Sequence, residues 1–135
     1  MMSHDVAGEE QKSTTQPPHL LIMSTANLPQ KVTIMKGAAP DLSAATYQIF
    51  DESHTIGNPL RWMLMKNPKV EFCGYSVPHP SENLIQVRIQ MYDNLSSLTA
   101  LIEALSNLDS LFSTIETKYV DDLNGGDYER WEEKS

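Results

Sequence analysis

The chain holds one cysteine, Cys73. An intramolecular disulfide and a multi-cysteine zinc site are thereby excluded, and a lone thiol fits a reducing compartment. Basic residues are few as well: 10 Lys and Arg stand against 18 Asp and Glu, for a net charge of −8. With a pI near 4.8 and no visible cluster of Lys or Arg, direct nucleic-acid binding is not expected, because such a surface must displace phosphate counterions. Long apolar runs are missing too. The longest near the N-terminus, Leu20–Met23, is too short for a signal h-region or a membrane span, so a soluble intracellular protein is expected, with no membrane contact.

Catalytic signatures are equally scarce. There is no Gly-rich phosphate loop, no G-x-S-x-G, and no His/Cys spacing that would hold a metal. An enzyme reading would have to start from His54, His79, Asp51, Glu52 and Cys73, since imidazole is the natural acid or base near neutral pH and a thiolate beside it is a nucleophile. Each has a plainer structural role. His54 precedes a helix cap and is expected to bond local backbone. His79 sits between two prolines in a turn, and Cys73 falls in a strand as a small buried hydrophobe. No catalytic residue, cofactor or metal is expected.

What is present is one domain's worth of patterned sequence in 135 residues. Residues 1–29 are rich in Ser, Thr, Gln, Pro and Glu, with too little apolar surface to offset ordering entropy, and are predicted to be a disordered tail. Residues 30–123 form the domain, and residues 124–135 an acidic tail containing Trp131. Within the domain, Lys31–Met35 predicts a short strand and Ala44–Phe50 a second, with Ala45, Tyr47 and Ile49 on one face. A short helix comes next, capped by Thr55 or Asn58, with Pro59 best placed at its first position. Ile56, Leu60, Met63 and Leu64 make its stripe, and Asn67-Pro68 ends it.

Val70–Val77 predicts a strand with Val70 and Phe72 on one face and Cys73, Tyr75 and Val77 on the other, so that both faces meet protein. A proline-pinned turn leads to Leu84–Met91, whose Ile85, Val87, Ile89 and Met91 alternate with polar residues. From Ser96 to Leu123 runs one long helix, with Leu98, Leu101, Ile102, Leu105, Leu108, Phe112, Ile115 and Tyr119 recurring at spacings of three and four, the adjacent pair Leu101 and Ile102 apart. Asn124-Gly-Gly126 stops it. The fold class is α+β: a small antiparallel sheet packed on one face by a short helix and a long C-terminal helix.

Two features exceed what one such domain needs. The long helix would reach about 40 Å, beyond the ~26 Å expected of a domain this size. The short helix carries Trp62 and Met65, with Pro59, on a face away from its own stripe, and Gly57 sits where alanine would be more stable unless something approaches closely. Gly57, Trp62, Met65, Leu101, Leu105, Leu108, Phe112 and Ile115 are therefore the candidate partner interface.

The run Asp51–Arg61, DESHTIGNPLR, resembles the helix-start signature of the small alpha-like subunits of cellular RNA polymerases. That family includes archaeal subunit L and is distantly similar to the dimerisation domain of bacterial alpha. Met65–Pro68 (MKNP), Val70–Tyr75 (VEFCGY) and His79–Glu82 (HPSE) resemble the version shared by eukaryotic RNA polymerases I and III. The resemblance covers roughly residues 44–120. Ile56 stands where leucine is usual, and Pro59 falls inside the first helical turn.

The resemblance implies the RNA polymerase alpha-like dimerisation fold and a non-catalytic assembly role. The implied partner is the larger alpha-like subunit, in a heterodimer on which the largest, second-largest and small zinc-binding subunits assemble. The implied setting is rRNA, 5S rRNA and tRNA transcription in the nucleus, including the nucleolus. Two alternatives stand beside it: the paralogous RNA polymerase II subunit, and a homodimeric regulatory α+β module.

Overall fold

Alternation of apolar and polar side chains builds the sheet. A computed structural model of the chain describes residues 30–131. The expected tail over residues 1–29 and the last four residues of the acidic tail lie outside the described residues. The elements are β1 (Val32–Ile34), β2 (Ala44–Phe50), α1 (His54–Lys66), β3 (Val70–Ser76), β4 (Leu84–Met91) and α2 (Ser97–Gly125). The strands lie in the order β1-β2-β4-β3, every pair antiparallel.

The central pair carries the core. Ala45 faces Ile89, Tyr47 faces Val87 and Ile49 faces Ile85 across β2 and β4, and all six are buried. Leu60 and Leu64 of α1 and Leu101 and Leu108 of α2 join that same cluster. Both helices thus cover one sheet face, while Thr46, Gln48, Gln86, Arg88 and Gln90 on the other stay half-buried. At about 25 cal/mol per Å² of apolar area removed from water, this single shared core is the main force holding the domain.

β3 departs from strict alternation. Its register with β4 shifts between Val70 and Phe72, a bulge that inserts one extra residue and reverses the parity of the rest of the strand. Val70 and Cys73 consequently both point inward and are buried, whereas Phe72 stands on the outer face. The expected pairing of Val70 with Phe72 on one face is corrected by that bulge, and Phe72, about half exposed, has only part of its surface against protein.

α1 begins earlier than its sequence suggested. Ser53, not Thr55 or Asn58, is the N-cap, its side chain accepting from the Thr55 amide at 3.3 Å. Pro59 therefore lies inside the helix, where it removes one backbone bond to the carbonyl four residues earlier. That carbonyl belongs to Thr55, an exposed residue of the first turn. Asn67 closes the helix as expected, its N–H donating to the Leu64 carbonyl at 3.1 Å. Asp93 and Asn94, both at positive φ, turn the chain from β4 into α2. That helix runs from a Ser96 cap to Gly126, which adopts the left-handed conformation at φ 68°, open to a residue without Cβ.

A candidate subunit interface

α2 leaves the domain halfway along its length. Its inner stripe, Ser97, Leu101, Ala104 and Leu108, is buried together with Ala100. Leu111 is half-buried, and every residue from Phe112 to Gly125 is exposed. The overhang is about 20 Å long. Ile115 continues the inner stripe beyond Leu108, its last buried member, and stands 54% exposed.

The seam that reads as one stripe in the sequence is two. Leu101 and Leu108, expected at the partner interface, keep only 2% and 4% of their surface and belong to the chain's own core. An adjacent outer stripe carries Leu98, Ile102, Leu105, Phe112, Tyr119 and Leu123, all exposed. Leu105 and Phe112 of the candidate set lie on it. Leu98, Ile102, Tyr119 and Leu123 belong to it as well, and the signal that marks them is that all six apolar residues fall on steps of three, four or seven from Leu98 to Leu123.

α1 adds a second exposed face. Trp62 and Met65 are about half exposed, on the side of the helix opposite Leu60 and Leu64. The Lys66 ammonium lies 4.8 Å from the Trp62 ring centre, a cation–π contact that holds the indole against its own helix. Gly57 has a different explanation from the expected partner helix. A Cβ there would come within 2.6 Å of the Tyr75 ring. That ring is fixed over Gly57 by a 2.8 Å hydrogen bond between its hydroxyl and His54 Nδ1 and by edge-on contact with the imidazole. The close approach is made by the chain's own β3.

The same contacts account for the remaining candidates. His54 bonds Tyr75 rather than local backbone. His79 Nδ1 accepts from the Ser81 amide at 3.2 Å and the Ser81 hydroxyl at 2.5 Å, which orders the turn. Asp51 occupies a left-handed turn position at φ 54°, and Glu52 pairs with Lys31 at 3.0 Å. Cys73 is buried, and desolvation pushes its thiol up to about 11, with Arg61 opposing weakly; such a group is protonated at neutral pH and is a poor nucleophile. Among the described residues, no three of His, Cys, Asp or Glu gather as a metal site, and no helix is long and apolar enough to cross a membrane.

A long helix whose far half stands exposed on a small antiparallel sheet has the shape expected of a pairing module. Residues 44–118 match the RNA polymerase Rpb3/Rpb11 dimerisation domain, and the chain belongs to that family. It is 44% identical over 95 residues to the DNA-directed RNA polymerases I and III subunit RPAC2 of Saccharomyces cerevisiae, covering 70% of this chain and 67% of the relative. It is 41% identical over 106 residues to the subunit of the same name from Schizosaccharomyces pombe, covering 78% and 83%. Among solved structures, DNA-directed RNA polymerase subunit L of Thermoplasma acidophilum shares the fold, with a TM-score of 0.58 at 15% identity over 73% of this chain and 96% of that one.

Proposed function

We propose that this chain is the small alpha-like subunit shared by RNA polymerases I and III. It pairs with the larger alpha-like subunit, and the heterodimer is the platform for the largest, second-largest and small zinc-binding subunits. The role is assembly without catalysis, in the nucleus and including the nucleolus, and it serves rRNA, 5S rRNA and tRNA transcription. One observation carries the reading: a member of a dimerisation-domain family presents an apolar stripe along a helix that overhangs its own core by about 20 Å. The two yeast relatives, named as subunits of polymerases I and III, support the assignment.

The test is recovery of a tagged full-length chain from native extract. The expected companions are the larger alpha-like subunit and the largest subunits of both polymerases I and III. Recovery with RNA polymerase II instead, or as a free homodimer, contradicts the proposal.

A further inference from the structure

The outer stripe of α2 contains two positions that are not apolar. From Leu98 to Leu123 its members are Leu98, Ile102, Leu105, Asp109, Phe112, Glu116, Tyr119 and Leu123, spaced alternately by four and three. At about 100° per residue all eight fall within an arc of about 100°. Six are large apolar side chains, 37% to 67% exposed. Asp109 and Glu116 are exposed between them, one heptad or about 10 Å apart along the axis. Neither makes an ion pair among the described residues. Lys118, the one basic residue of α2, is two positions from Glu116 and so does not face it.

We propose that Asp109 and Glu116 select the partner: the outer stripe of α2 pairs with an apolar helix face bearing two basic side chains one heptad apart, and rejects a second copy of this chain. The proposal rests on the reading of that stripe as the pairing surface. A carboxylate enclosed in an apolar seam is unfavourable unless a cation meets it, and charged residues at seam positions set register and partner at some expense of stability. Arginine suits the opposing positions, since its guanidinium meets a carboxylate with two parallel hydrogen bonds. The same stripe of a second copy provides no such group. Aligned parallel, it would set Asp109 against Asp109 and Glu116 against Glu116. Aligned antiparallel with Leu98 opposite Leu123, it would set Asp109 against Phe112 and Glu116 against Leu105. In both directions the acids go unpaired.

The test uses the full chain co-expressed with the larger alpha-like subunit. Asp109→Lys with Glu116→Lys should weaken pairing at least about tenfold. Glu103→Lys with Asp121→Lys, which reverses as many exposed charges off the stripe, should change it less than about twofold. Asp109→Asn with Glu116→Gln, which preserves shape, should weaken pairing in the same direction as the lysine pair. With Asp109→Leu and Glu116→Leu, the chain alone should form dimers in sedimentation at concentrations where wild type does not. Wild-type pairing by the first variant, or equal loss in the off-stripe variant, overturns the proposal. Leu105→Asp with Phe112→Asp separates the two readings. If it abolishes pairing while the lysine pair does not, charge selection alone fails; if it too leaves pairing intact, the stripe is not the pairing surface.

Discussion

The hydroxyl of Tyr47 meets Ser97 Oγ at 2.8 Å across fifty positions of sequence. Ser97 Oγ in turn donates to the Leu42 carbonyl at 2.5 Å, and the Ser97 amide donates to the same oxygen at 2.8 Å. Tyr47 is therefore the donor to Ser97. Both side chains are fully buried, so the relay ties the first buried residue of α2 to the central strand. It fixes where the long helix starts, and hence where its far half projects.

The two ends of this relay should differ in cost. Tyr47→Phe removes a donor and leaves Ser97 satisfied by Leu42, a loss of about 0.5–1.5 kcal/mol. Ser97→Ala leaves the Tyr47 hydroxyl buried without an acceptor, at about 1–3 kcal/mol. Denaturant unfolding of the two variants should rank Ser97→Ala as the more damaging; the reverse order would contradict the donor assignment.

Gly57→Ala should destabilise although alanine is the better helix former. The Tyr75 ring must move from a contact of 2.6 Å, and forcing it costs about 1–3 kcal/mol against a propensity gain of up to about 1 kcal/mol. In a Tyr75→Ala background the sign should invert, and Gly57→Ala should stabilise. A double-mutant cycle of unfolding free energies measures this, and additivity would remove the explanation.

Much of the fold was legible because the deciding pattern was local. Tyr47 and Ile49 on β2 and Val87 and Ile89 on β4 alternate with polar residues, and that parity alone places them. Val70 and Phe72 misled because a bulge adds one residue without changing composition. The start of α1 was displaced because Pro59 favours a first helical position, while Ser53 had the better-placed oxygen. On α2, Leu101 and Ile102 are neighbours in sequence and lie on different stripes, so counting threes and fours could not separate them. Only the docking of α2 against α1 and the sheet decides which stripe is covered. Gly57 read as a contact site because nothing in sequence connects it with Tyr75.

Cys73 should behave as an inert thiol. Its folded value near 11 exceeds the ordinary 9.0, so well below pH 9 the thiol is protonated in both states and contributes no pH dependence. Between about pH 9 and 11 the unfolded chain ionises first, and stability should fall as pH rises. Alkylation near neutral pH should be slow in the folded protein and fast in denaturant, and this should be followed by mass spectrometry. Fast labelling of the folded chain would contradict burial of Cys73.

The central claim is that the outer stripe of α2 pairs with another subunit while the inner stripe holds the chain's own core. Full burial of Leu105 and Phe112 is worth about 1.5–3 kcal/mol each, and 1.4 kcal/mol is about a decade of affinity. The deciding measurement is the affinity of Leu105→Asp with Phe112→Asp for the co-expressed larger alpha-like subunit, with circular dichroism as the check on folding. Pairing should weaken by at least about a hundredfold with helix content unchanged, whereas Leu108→Asp should unfold the chain itself. Undiminished pairing by the Leu105 and Phe112 variant would contradict the account.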